Sequence, residues 1–353
     1  MSVKKTLSPV ASIIKLLIII LIFSINSKAE ETNIKYYSAD KGILSLMYHR
    51  FDEKKYPSTN IQMNVFKKQI QIIRNLNYNF YNPGDLKKNF NLPKERKKIL
   101  LTVDDAFSSF YEVAWPYLKN NKIPFILFVS TKTVGREGYM NWEQIKEIEK
   151  NPDVYIGNHS HSHDYLVNLK NKNFINDINK SNNIFISKLG YNPIFFSYPF
   201  GEYSNYIKKI ISEKFEFAFG QHSGVIDINK NKYELPRFPI NEKYGDLKRF
   251  KFLIKLYPLE YKKILPNEKF ITTENNPPLL TVEFFKDQKN IKNINCFSNE
   301  GNKWKKSILS FNDNMLFIKF REKFTFRRGR VNCSLNDNGV WRWFGAQFSI
   351  QLN

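Results

Sequence analysis

The chain has 353 residues, with 55 lysines and arginines against 33 acids and a formal charge of +22. That length exceeds one ordinary domain of roughly 100–200 residues, so one large barrel or two domains is expected. Apolar residues at 42% can fill a sizeable core, while 14 glycines, 15 prolines and 16% aromatics exclude collagen, low-complexity chains and a disordered polycation. The basic excess comes from 44 lysines and only 11 arginines. It reads mainly as compositional bias, with attraction to nucleic acid, an anionic surface or an acidic polysaccharide as the functional alternatives.

At the N-terminus, Lys4, Lys5 and Lys15 flank Leu16–Ile25, a run that is apolar apart from Ser24. A membrane span needs about 20 residues, so this run is short for one. Ser27 and Ala29 then stand at the −3 and −1 positions of a cleavage site. A secretory signal peptide over residues 1–29 is therefore expected, leaving +18 on the mature chain. Export to the periplasm or cell surface argues against nucleic acid and keeps an anionic cell-envelope surface as a partner. Cys296 and Cys333 are the two cysteines. In an exported chain they are expected to pair, with two free thiols as the alternative.

Residues 43–240 repeat one pattern: a short apolar run, a polar residue at its end, then helical periodicity. The runs are Ile43–Tyr48, Ile99–Val103, Phe125–Val129, Val154–Ile156, Ile194–Tyr198 and Phe215–Phe219, with Leu235–Ile240 as a seventh candidate. Runs rich in Ile, Val, Phe and Tyr read as buried strands. Phe66, Ile70, Ile73 and Leu76 predict a helix over 64–76, with Asn60 as its cap. Trp142, Ile145 and Ile148 mark another helix, and Ile184, Ile186 and Leu189 a third. Alternating strands and helices imply a parallel sheet or barrel. Every one of the five histidines sits just past a predicted strand. In α/β barrels that is where the chemistry lies.

Beyond about residue 265 the pattern changes to short alternating runs, such as Leu279–Phe285, Met315–Phe320 and Phe344–Ile350. Turn signals at Asn312-Asp313-Asn314 and Asn336-Asp337-Asn338-Gly339 separate them. A small antiparallel β domain over 271–353 is expected, after a connector at 246–270. Five arginines and two tryptophans fall in 321–343. They suit either sugar binding or the packing of this domain on the barrel.

Two elements carry chemistry. Asp104 and Asp105 end a strand, so one carboxylate can ligate a metal while the other stays free as a base. His159, His161 and His163 fall within five residues, and neutral imidazole favours Zn2+. Two histidines and one aspartate would leave an open position, as in catalytic sites; spacing alone leaves open which two. Such a set hydrolyses amides or esters, and His222 is the candidate proton donor to the leaving group.

Leu101-Thr102-Val103-Asp104-Asp105-Ala106 resembles the TFDDG motif of the NodB-type polysaccharide deacetylases, carbohydrate esterase family 4. His159-Ser160-His161-Ser162-His163 is similar to the family's H-S/T-x-x-H, and Tyr198-Pro199-Phe200-Gly201 to its Pro-aromatic-Gly motif. Met47-Tyr48-His49-Arg50 and Leu235-Pro236-Arg237-Phe238 resemble the branch that acts on poly-N-acetylglucosamine-like polymers. The resemblance covers roughly residues 40–245. It implies an α/β fold, a distorted (β/α)7 barrel over 30–245, followed here by the β domain. It makes Asp104 the base and Asp105, His159 and His163 the metal ligands, with His161 a spacer. Tyr198, Pro199, Phe200 and Gly201 would form the sugar site, with a backbone N–H near Phe200 for the oxyanion.

Some family features are missing. Val103 and Ala106 replace Phe and Gly. Phe195, Phe196 and Ser197 stand where many members carry an arginine that orients the base, and Arg237 is the candidate substitute. The late Leu-x-His motif that supplies the acid is absent, which leaves His222; His49 reads as a supporting residue. The expected activity is removal of N-acetyl groups from an acetylated polysaccharide. The alternatives are an O-acetyl esterase and a catalytically silent polysaccharide-binding protein.

Overall fold

The computed structural model describes residues 42–88, 98–227 and 230–351. The expected signal peptide lies outside the described residues. Among them, no helix is long and apolar enough to cross a membrane.

Six of the apolar runs form strands: β1 (Ile43–Tyr48), β2 (Lys98–Asp104), β3 (Phe125–Val129), β4 (Val154–Asn158), β5 (Phe195–Ser197) and β6 (Phe217–Phe219). They lie side by side in chain order, and each neighbouring pair is parallel. Past β6 the chain turns back along the sheet. Leu235 bridges Phe219, and Phe238–Pro239 pairs with β1, so the curled sheet meets its first strand again.

Strand side chains alternate between faces, and the cores divide accordingly. Leu100, Ile126, Phe128, Phe195, Phe217, Phe219 and Leu235 share one apolar cluster. Ile99, Leu101, Val103, Phe125, Leu127 and Val129, of opposite parity, share another with the helices. Asp104 has the parity of Leu100, Ser197 that of Phe195, and Arg237 that of Leu235. The first face thus ends in polar residues at the C-terminal strand ends. Gly157 lets the layers close up there, since a Cβ would stand 2.3 Å from the Phe128 ring.

The helices α1 (Met63–Asn75), α2 (Trp115–Asn120), α3 (Trp142–Glu149), α4 (Asn171–Leu189) and α5 (Asn205–Ser212) connect the strands. Two sequence expectations change here. Asn60 does not cap α1: its side chain serves the Glu53 N–H, and Asp52 Oδ1 accepts from Met63 N at 2.7 Å. In α4 the buried face is Phe174, Ile178 and Phe185, whereas Ile186 is exposed. A capping box of Asn141 with Gln144 starts α3.

After α6 (Leu247–Leu253) come β7 (Leu280–Glu283), β8 (Asn295–Ser298), β9 (Ile308–Asn312), β10 (Met315–Lys319), β11 (Arg328–Asp337) and β12 (Val340–Ile350). They form two sheets, one built on β8, β11 and β12, the other on β7, β10 and β9. Both sheets contribute to one apolar cluster. Cys296 and Cys333 face each other across β8 and β11 and form a disulfide. The stretch expected as a connector already joins these sheets. Tyr257–Pro258 and Phe270–Ile271 pair parallel to β12, and Lys263–Leu265 pairs with β7.

Candidate active site

Asp104 closes β2, and the next two residues leave the strand in left-handed backbone, Asp105 at φ 75° and Ala106 at φ 54°. This turn breaks the strand alternation. Asp105 would otherwise point away from Asp104; instead its Oδ1 lies 3.1 Å from His163 Nε2 and 3.5 Å from His159 Nε2. Ala106 carries a strain of about 1–2 kcal/mol that glycine would avoid. Met140 N, donating to Ala106 O at 2.9 Å, pins it.

His159 follows β4 and is buried. Its Nδ1 donates to Ser197 O at 2.7 Å, which leaves Nε2 as the bare lone pair. The ligand atoms of Asp105, His159 and His163 lie within 4.8 Å of one another. One carboxylate and two imidazoles, one of them oriented from behind, fit a Zn2+-like cation with an open position. Burial pushes His159 down to about 4, so its imidazole is neutral at neutral pH. Burial also opposes charge on His163 and Asp105. Their mutual hydrogen bond and attraction outweigh it, holding Asp105 low and His163 raised. His161 points elsewhere, with Nδ1 2.9 Å from Thr131 Oγ1, while Asp177 accepts from the His161 and Ser162 N–H groups.

Asp104 is 0% exposed, and so is Arg237. The guanidinium spends all five donors. Nη1 and Nη2 grip the Asp104 carboxylate at 2.6 and 2.9 Å, Nη1 also reaches Thr102 Oγ1 at 3.1 Å, Nη2 reaches Ser197 Oγ at 2.7 Å, and Nε reaches Gly220 O at 3.0 Å. Burial would raise the Asp104 carboxyl, but Arg237 and then His159 hold it below the usual carboxylate range. Arg237, the candidate substitute for the missing arginine and also a candidate for sugar contact, is thus buried away from any sugar with its guanidinium on Asp104.

The aromatic motif is redistributed as well. Tyr198 is fully buried, donates its hydroxyl to Tyr233 O at 3.0 Å and packs on Phe196 and Tyr203, so it is core rather than sugar site. Pro199 and Gly201 are buried too. A Cβ on Gly201 would stand 2.5 Å from Gln221 N. Phe200, at φ 59°, remains at the site: its ring is 4.8 Å from His163 and stacks at 4.2 Å on Tyr165.

His222, the expected proton donor, faces a different cavity, lined by Tyr203, Glu234, Tyr261, Lys269 and Trp343. Its Nδ1 is buried with no hydrogen-bond partner among the described residues, and burial pushes it down to about 4. His49 is the histidine that sequence reasoning undervalued. Tyr48 pairs with Val103, so His49 falls level with Asp104, and its charge helps lower both aspartates. The strand-end position was visible in sequence; the β1–β2 register was not. Arg50, 3.4 Å over the Phe107 ring, Tyr139 on the same ring at 4.8 Å, and Tyr165 were also missed.

The C-terminal arginines mostly make internal pairs: Arg327 with Glu202, Arg321 with Glu300, and Arg342 with Asp337. The tryptophans join the sheets to the barrel, Trp343 against Phe238 and Trp341 against Phe252.

A family model described as polysaccharide deacetylase matches residues 91–215, which hold both aspartates and all three clustered histidines. Over that segment the chain is similar to polysaccharide deacetylases. Among curated relatives, the poly-beta-1,6-N-acetyl-D-glucosamine N-deacetylase of Staphylococcus aureus is 25% identical over 215 residues, 56% of this chain and 73% of that protein. Among solved structures of deacetylases, IcaB from Ammonifex degensii is 26% identical with a TM-score of 0.52, covering 61% of this chain and 97% of its own. The Streptococcus pyogenes deacetylase PplD, in complex with acetate, shares the fold at 23% identity and a TM-score of 0.53, covering 57% of this chain and 94% of its own.

Proposed function

We propose that this protein is an exported, divalent-metal-dependent hydrolase that removes N-acetyl groups from N-acetylhexosamine units of a surface or extracellular polysaccharide. The observation that carries the proposal is the pairing of an ionised, fully buried Asp104 with the adjacent donor set of Asp105, His159 and His163. Those three residues would hold the cation, Zn2+ by donor chemistry. When bound, the cation supplies Lewis acidity that polarises the acetamide carbonyl and acidifies a water.

The chain's own residues do the rest. Asp104 takes the proton of the attacking water, kept ionised and aimed by Arg237. His159 is held in the ligating tautomer by Ser197 O. The Phe200 backbone N–H and ring bound the developing oxyanion and the sugar. His49, level with Asp104, returns a proton to the departing amine, the role first expected of His222. The sheets beyond residue 256 act as an accessory β module that supports the cleft.

The test is release of free amine from N-acetylglucosamine oligomers by the purified protein with Zn2+ or Co2+. Asp104→Asn should lower kcat by about 10^2–10^4 while the bound metal is retained. No release by the wild type, or equal release by Asp104→Asn, would sink the reading.

A further inference from the structure

Glu202 closes the turn that carries Phe200, and its carboxylate is fully buried. Arg327 grips it from Nε and Nη2 at 2.8–3.1 Å. Arg328, next in β11, reaches only to 3.8 Å from Glu202 Oε1, beyond hydrogen bonding. Arg330 turns to Gln347 Oε1 at 2.8 Å. All three positive charges act on the one carboxylate. A single anion therefore faces three guanidiniums, and the cluster carries unmatched positive charge. The crowding is felt, because Arg330 is pushed down to about 10, by burial first and by Arg328 next.

This surplus stands at the cleft. The Arg328 guanidinium lies 5.7 Å from the Phe200 ring, and Phe200 packs on His163 of the donor set. The Arg328 side chain keeps 31% of its surface exposed. Arg327, by contrast, is committed to Glu202 and lies 3.7 Å over Tyr165. One guanidinium beside an aromatic face, about a third exposed and without a close acceptor on Glu202, is suited to a planar anion arriving with the substrate. The net charge of +18 expected on the mature chain would assist the approach of a polyanion.

We propose that Arg328, backed by Arg327 and Arg330, is an anion subsite that binds the carboxylate of a sugar unit neighbouring the N-acetylhexosamine at Asp104. The proposal rests on the deacetylase reading and adds to it that the polymer carries acidic units. It also gives the C-terminal β module a part in choosing the substrate.

The test compares two tetrasaccharides on the full chain. Hyaluronan tetrasaccharide alternates glucuronate with N-acetylglucosamine; the chitin tetrasaccharide is neutral. The wild type should show the higher kcat/KM on hyaluronan, and salt should erode that preference. Arg328→Gln should lower the hyaluronan-to-chitin ratio about tenfold, through KM, as one lost charge-assisted contact implies. Arg328→Lys should keep part of it. A purely structural Arg328 would depress both substrates together and leave the ratio alone, which overturns the proposal, as does a wild-type ratio of one. If the wild type turns over neither sugar, the deacetylase reading fails on its own. Calorimetry of hyaluronan tetrasaccharide binding then decides the subsite: weaker binding by Arg328→Gln supports it, and no binding or equal binding overturns it.

Discussion

Arg237→Met tests the centre of the site most directly. The change deletes five donors and leaves the Asp104 carboxylate buried, with Ser197 Oγ at 3.3 Å as its remaining side-chain donor. Breaking a buried pair from one side costs about 3–5 kcal/mol. At about 2–4 °C per kcal/mol, Tm should fall by roughly 6–20 °C at neutral pH. The sign with pH follows from the carboxyl. In the wild type its folded pKa lies below the ordinary 3.8, so its contribution is present above that value and is lost as pH falls through the folded pKa. Without Arg237, burial dominates and raises the folded pKa above the unfolded one. The stability deficit should then be largest at neutral pH and shrink on acidification. The acid limb of kcat/KM should move to higher pH for the same reason. Thermal melts across pH and a pH–rate profile measure both effects. A deficit that is equal at every pH, with an unmoved acid limb, would refute the reasoning, because Arg237 would then be mere packing.

Other consequences are checked more simply. His159→Ala should strip the bound divalent metal and cut activity at least about 10^2-fold, by metal analysis and the amine-release assay; full metal content in the variant would move the site elsewhere. His222 is held at about 4 against 6.5 unfolded, so the unfolded state binds its proton more readily. Stability should therefore rise with pH between about 4 and 6.5, and His222→Gln should flatten part of that slope in melts; an unchanged slope removes the assignment. The Cys296–Cys333 bridge spans 37 residues, so reduction should cost roughly 4 kcal/mol by loop entropy. Melting with and without reductant measures it, and identical curves would mean the sheets hold without it.

The strands and their polar ends were legible because short continuous apolar runs and a terminal histidine or aspartate are local signals. Asp104, Asp105, His159 and His163 stood out for that reason, although choosing between His161 and His163 took the resemblance. Arg237 was legible only as a substitute for an absent arginine; that its fork meets Asp104 depends on a segment more than 100 residues away returning to β1. Tyr198 misled because a motif places a residue near a site without saying which face its ring takes. His222 misled because a strand end on the right side of the barrel can still open into a neighbouring cavity. The C-terminal arginines were ambiguous in composition, since a guanidinium pairs equally well with a buried carboxylate of its own chain and with a ligand.

Gln347 of β12 donates to the carbonyls of Phe200 and Gly201 at 3.0 and 3.1 Å. The turn beside His163 thus leans on a residue synthesised 147 positions later. At about 5–20 residues per second, that separation is roughly 7–30 s of translation. Over that interval the aspartates and histidines already exist while the floor beneath Phe200 does not. The nascent chain can begin to curl its sheet, yet its hydrolytic cleft matures only when the distant strand arrives. Time, as well as space, separates the barrel from a working catalyst.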